Sequence, residues 1–180
     1  MTTEKFTILQ LGHPHLRLTA RNVENIQSDN IQNFIDDLLN FVNEVNGMGI
    51  AAPQVDRSLR LFIMSSSPNI RYPCAPSMQP TVIINPEIIS VAKKVEKNWE
   101  GCLSVPSIRA LVPRHKSIMV RYTTRNGESI ETTYSGFLAR IFQHELDHLN
   151  GIVFTDRVED NHDMMAEQEW LKLISQRSDC

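Results

Sequence analysis

"GFLARIFQHELDHLNG", residues 136–151, decides how the rest of the chain is read. Phe137, Leu138, Ile141, Phe142, Leu146 and Leu149 recur at the spacing of one helical face, and Asn150-Gly151 supplies a stop. A helix is therefore expected from about Gly136 to Leu149. On it His144 and His148 stand one turn apart, so both rings can aim a nitrogen at one ion, with Glu145 beside that ion. A working hydrolytic site of this kind needs a third protein ligand and a fourth position left open for water.

The surroundings of this helix read mainly as strands. Residues 117–123 and 129–134 flank Asn126-Gly127, a strong hairpin signal that implies antiparallel pairing. Further strands are expected at residues 59–65, at 81–85 and around 91–99. Ahead of them, Ile31, Phe34, Ile35, Leu38, Leu39, Val42 and Val45 mark an amphipathic helix, with Ser28 or Asp29 to cap its start and Gly47 to end it. Residues 65–80 carry four prolines and read as a long loop, one suited to mobility or function. A third helix is expected over about 160–176. There is no repeat, linker or composition break, so residues 1–180 read as one catalytic domain. Strands around a buried helix, without regular βαβ alternation, predict an α+β fold, with mostly antiparallel or mixed sheets surrounding a central metal-binding helix.

Composition excludes several function classes. Eighteen basic against 21 acidic residues give no field that would draw nucleic acid or an anionic membrane. The opening "MTTEKFTILQ" has no basic flank followed by an apolar core, and no stretch approaches the roughly 20 apolar residues that span a bilayer. A cytoplasmic location is the expectation. Three cysteines, Cys74, Cys102 and Cys180, are an odd number without a secretion signal and argue for reduced thiols.

Two sources compete for the third metal ligand, and they imply different enzymes. Cys102, in "NWEGCLSVPSIRALVPR", would complete a Cys-His-His set, and Gly101 before it permits close backbone approach. Glu167 or Glu169 on the last helix would instead give a zinc endopeptidase. Charges at Glu159, Asp160, Asp163, Lys172 and Arg177 mark that helix as a solvated face, which favours the cysteine.

"GMGIAAPQ" at 47–54, "EGCLS" at 100–104 and "QHELDHL" at 143–149 together resemble the three signature motifs of the peptide deformylase family, in the same order and at similar separations. The resemblance extends through "GHPHLR", "SVPSIRALVPR" and "LNGIVFTDRV" and covers roughly residues 8–158. It implies removal of the formyl group from the N-terminal formylmethionine of nascent polypeptides, with release of formate. It implies Cys102, His144 and His148 as metal ligands, and Glu145 as general base and acid. The Gln54 side-chain amide and the Leu103 backbone N–H would stabilise the developing oxyanion. Met48, Gly49, Glu100, Gly101, Phe137 and Ile141 are the candidates for the slot that takes the substrate's methionine. Ligand chemistry alone suits zinc, whereas the resemblance implies ferrous iron, with nickel or cobalt as further possibilities. Family members with a basic C-terminal helix dock on the ribosome through it. Residues 159–180 hold six acidic residues against Lys172 and Arg177, which argues against the same docking here.

Overall fold

The computed structural model describes residues 6–176. Three helices and eight strands occur in it: α1 (Asp29–Glu44), β1 (Gly49–Ala51), β2 (Leu61–Ser66), β3 (Met78–Val91), β4 (Val95–Cys102), β5 (Val105–His115), β6 (Ser117–Thr123), β7 (Ser129–Ser135), α2 (Gly136–Leu149), β8 (Met164–Ala166) and α3 (Glu167–Ser175). Five strands form one sheet in the order β1-β2-β3-β6-β7, and β4-β5-β8 form a second. Every strand pair is antiparallel. The α+β reading, with sheets around a central helix, is the fold found.

The apolar run of β2 follows from its position. Leu61 and Ile63 join the cluster of α1 residues Ile35, Leu38 and Val42, whereas Phe62 and Met64 join the cluster of α2 residues Ala139, Phe142 and Leu149. Side chains alternate across a strand, so a strand covered on both faces reads as continuous hydrophobe. Phe62 meets Phe142 edge to face at 5.2 Å. The larger sheet is thus covered on its two faces by α1 and α2. The hairpin of β6 and β7 pairs Ser117 with Ser135 through Thr123 with Ser129. Its turn closes with Gly127 N–H donating to Thr124 O at 3.0 Å, and Gly127 takes φ +86°.

Several local expectations fail. The left-handed residue that stops the first helix is Asn46 rather than Gly47: Asn46 takes φ +50°, and the N–H groups of Asn46 and Gly47 reach back to Asn43 O and Val42 O. This is the left-handed helix stop that asparagine can supply in place of glycine. The strand expected around 91–99 breaks at residues 92–94 into the end of β3 and the start of β4. The third helix starts at Glu167 rather than near Asp160, because residues 164–166 pair with Ile108, Arg109 and Ala110 as an edge strand first. Cys102 is a free thiol, as expected, and Cys180 lies outside the described residues. Among the described residues no helix is long and apolar enough to cross a membrane.

Candidate metal centre

The two halves of the centre come from different sheets' neighbours. Cys102 sits where β4 turns into β5, paired with Val105 across the turn, and the ladder shifts register between Glu100 and Cys102. His144, Glu145 and His148 project from the middle and last turn of α2. The fold brings Cys102 Sγ to 3.2 Å from His148 Nε2. One ligand atom each from Cys102, His144 and His148 lies within 4.8 Å of the others, the one such group among the described residues.

Glu100 orients the first histidine. Its Oε2 lies 2.8 Å from His144 Nδ1, which leaves Nε2 for the side facing the cysteine. The same carboxylate accepts two bonds from Arg114, at 3.0 and 3.1 Å, and one from Arg140 at 2.7 Å. Arg114 also bonds Asp147, which in turn accepts from Arg157 at 2.7 Å. Burial opposes ionisation of Glu100, but Arg114 and His144 hold its carboxyl far below the usual range. Burial would likewise raise the Cys102 thiol, yet the His148 and His144 rings bring it well below its ordinary value. The thiolate is the form that binds metal.

Glu145 is buried, its Oε2 has no hydrogen-bond partner, and burial pushes it up to about 7. Gly49 faces it so closely that a Cβ there would lie 2.4 Å from Glu145 Oε1. Gln54, in a short 3-10 turn over Ala52–Val55, is buried beside the sulfur. The Ala51 N–H donates to its Oε1 at 2.9 Å, which turns Nε2 toward Ser104 Oγ at 3.1 Å and Cys102 Sγ at 3.5 Å. A single extended segment ties both loops together, with Leu9 N–H on Gln54 O and Leu11 N–H on Ser104 O, at 2.8 and 2.7 Å.

A cleft of about 280 Å³ opens onto this group. Met48, Gly49, Gly101, Phe137 and Ile141 line it as expected, together with Gln54, Leu103 and Glu145. Glu100 lines it too, but its oxygens are committed to Arg114, Arg140 and His144. The glutamates of the endopeptidase alternative stand apart from the metal group. Glu167 pairs with Arg109, and Glu169 pairs with Lys172 on the surface of α3 at 2.7 Å.

One wall of the cleft escaped the sequence reading. Tyr72, from the proline-rich loop, stacks against Phe137 at 5.1 Å and Trp170 at 6.0 Å, and its hydroxyl accepts from Arg109 Nη1 at 3.0 Å. Arg109 lies over the Trp170 ring at 4.7 Å. No motif announces these contacts, since they join a loop, a strand and the last helix.

The sequence matches the polypeptide deformylase family model over residues 5–164. The chain belongs to the polypeptide deformylase family. It is 52% identical over 178 residues to peptide deformylase 2 of Nostoc sp., covering 99% of both chains. A Met-Ala-Ser-bound class I type b peptide deformylase from Acinetobacter baumannii superposes with TM-score 0.85 at 42% identity, covering 87% of this chain and all of that one. The peptide deformylase of Thermotoga maritima gives 0.78 at 36% identity, covering 87% and 99% of the two chains. As a peptide deformylase the chain is a metal-dependent hydrolase that removes the formyl group from N-formylmethionyl peptides.

Proposed function

We propose that Cys102, His144 and His148 hold the single metal ion of this deformylase, with Glu145, Gln54 and Leu103 acting on the formyl group. The observation that carries the reading is the convergence of a thiolate and two imidazoles within 4.8 Å, with the unpartnered Oε2 of Glu145 beside them. The donor set fits a borderline divalent ion, and three protein ligands leave a fourth position for water. Ferrous iron is the proposed occupant, on the family resemblance; zinc, nickel and cobalt suit the same donors. When bound, the ion acidifies a water so that a nucleophile exists at neutral pH.

The chain's own residues then divide the work. Glu145, dry and held near neutrality, takes a proton from the attacking water and returns it to the departing amine. Gln54 is fixed through its Oε1, so its Nε2 is aimed before substrate arrives and donates to the oxygen on which charge develops. The Leu103 N–H, in the turn after Cys102, is the second donor. Gly47 and Gly49 leave room for the peptide to lie along β1 as an added strand, and backbone pairing of that kind is indifferent to most following side chains. The relative from Acinetobacter baumannii is bound to Met-Ala-Ser, and here Met48, Phe137 and Ile141 line the cleft that would take such a methionine.

We infer that the enzyme meets its nascent-chain substrates in the cytoplasm, and the acidic balance of residues 159–180 argues against the basic-helix docking used by some relatives. Formate release from formyl-Met-Ala-Ser by anaerobically purified protein tests the assignment, read beside metal content. Glu145→Ala should keep the metal and lose turnover; a Glu145→Ala protein with wild-type turnover, or a Cys102→Ala protein with full metal content, would overturn it.

A further inference from the structure

Three cations line the cleft, and two of them are matched. Arg140 bonds Glu100, and Arg109 bonds Glu167. Arg71 is the third, and among the described residues it makes no ion pair. Its guanidinium donates through Nη2 to the Asn46 carbonyl at 2.8 Å, at the left-handed stop of α1 next to Gly47, and Nε and Nη1 have no acceptor among the described residues. Every carboxylate of the cleft other than the deep Glu145 is engaged by another cation. The rim therefore carries one uncompensated positive charge.

That charge is presented rigidly. Asn69 Oδ1 accepts the N–H groups of Arg71 and Tyr72 at 2.9 and 3.0 Å, forming a side-chain-closed turn. The next residue, Tyr72, is anchored by Phe137, Trp170 and Arg109. Arg71 also lines a second groove, formed by residues 65–71 and 77–80, that meets the catalytic cleft at Gly47 and Met48. A peptide whose first residue sits over the metal centre passes this junction as it leaves.

Building on the deformylase reading above, we propose that Arg71 recognises a carboxylate carried by the substrate downstream of its formylmethionine, and so biases this enzyme toward acidic residues at the second or third position. A half-exposed guanidinium with open donors pairs with a carboxylate at modest strength, sensitive to salt.

The test compares kcat/KM for isosteric, C-terminally amidated pairs, formyl-Met-Glu-Ala against formyl-Met-Gln-Ala and formyl-Met-Ala-Glu against formyl-Met-Ala-Gln. A third pair, formyl-Met-Ala-Ser as free acid and as amide, separates a side-chain carboxylate from a terminal one. The wild-type enzyme should favour the acidic partner of at least one of the first two pairs by about fivefold at low ionic strength, the scale of a half-exposed ion pair. That ratio should fall toward one in about 0.5 M salt, where exposed charges are screened. Arg71→Glu should invert the ratio, and Arg71→Lys should retain most of it. Ratios near one in the first two pairs, whatever the third shows, a ratio insensitive to salt, or the same ratio in Arg71→Glu would overturn the proposal. Failure of the wild-type enzyme on the uncharged amides would count against the deformylase reading instead.

Discussion

The metal centre and the outer wall of its cleft are built by opposite means. The centre is a short-range constellation on α2 and the turn of β4, wrapped in a buried ion network of Glu100, Arg114, Arg140 and Asp147 that Arg157 closes from the surface. The outer wall is assembled from distant pieces, with Tyr72 from a loop, Arg109 from β5 and Trp170 from α3 meeting through ring contacts. Chemistry needs fixed atoms and so draws on regular elements, while selection among substrates can rest on a loop and a terminal helix. The difference implies that damage to the two regions should separate into loss of turnover and loss of stability.

Substitution at the centre should have the largest effect. Cys102→Ala should lose metal, and turnover should drop to background; metal analysis and formate release read the two together. Glu145→Ala should keep its metal and lose about 10²–10⁴-fold in kcat, the usual scale for a proton-transfer group. Gly49→Ala comes next, because the added Cβ would lie 2.4 Å from Glu145 Oε1 and displace it. A shift of about 1 Å in a catalytic group costs on the order of 100-fold, so kcat should fall steeply while thermal stability changes less. A Gly49→Ala enzyme of normal kcat would show that Glu145 tolerates movement.

Glu100→Gln should weaken metal affinity or turnover by about 10–100-fold, the range for partners that orient a ligating histidine. It should also lower stability, because Arg114 and Arg140 would stay buried beside a neutral amide. Trp170→Ala should behave in the contrary way. Trp170 is 2% exposed, and losing such a buried ring costs about 3–5 kcal/mol, while metal content should be unaffected. Comparable metal loss in both variants would erase the distinction between the two regions.

The smallest effect is expected on the surface, where Arg17 pairs with Asp156. Burial, the largest single influence, would raise the Asp156 carboxyl, but the Arg17 hydrogen bond, the Val153 N–H and the Arg17 and Arg157 charges together outweigh it, and the folded-state value is depressed. A depressed carboxylate stabilises the folded state above its unfolded value, near pH 4, and the contribution disappears as pH falls through the folded value. Both groups are more than a third exposed, so the loss should stay below about 1 kcal/mol. Denaturant titrations of wild type and Arg17→Ala at pH 7 and pH 3 should therefore converge at the acidic end.

How much of this was legible in the sequence follows from the range of the signals. The helix of residues 136–149 and the hairpin around Asn126-Gly127 carry their periods and turn residues locally, so both emerge where expected. The strand β5 carries no such signal, since Pro106 and Pro113 lack the N–H that a ladder uses; the edge strand β8 leaves most of β5 unpaired on one side, covering only residues 108–110. Residues 164–166 are too short to show a period, so the last helix was drawn seven residues too long at its start. The metal group was legible because three motifs specify it together. Tyr72, Trp170 and Arg71 were not, since loop and helix meet only in three dimensions and neither carries a pattern for the other.

The segment of residues 9–11 laces the two loops that carry Gln54 and Leu103, the proposed oxyanion donors, through the carbonyls of Gln54 and Ser104. This segment is thus a tension member of the reactive centre. Trimming or tethering the chain upstream of that lacing would be felt first as a loosened pair of donors and a lowered kcat, before any change in the melting of the body.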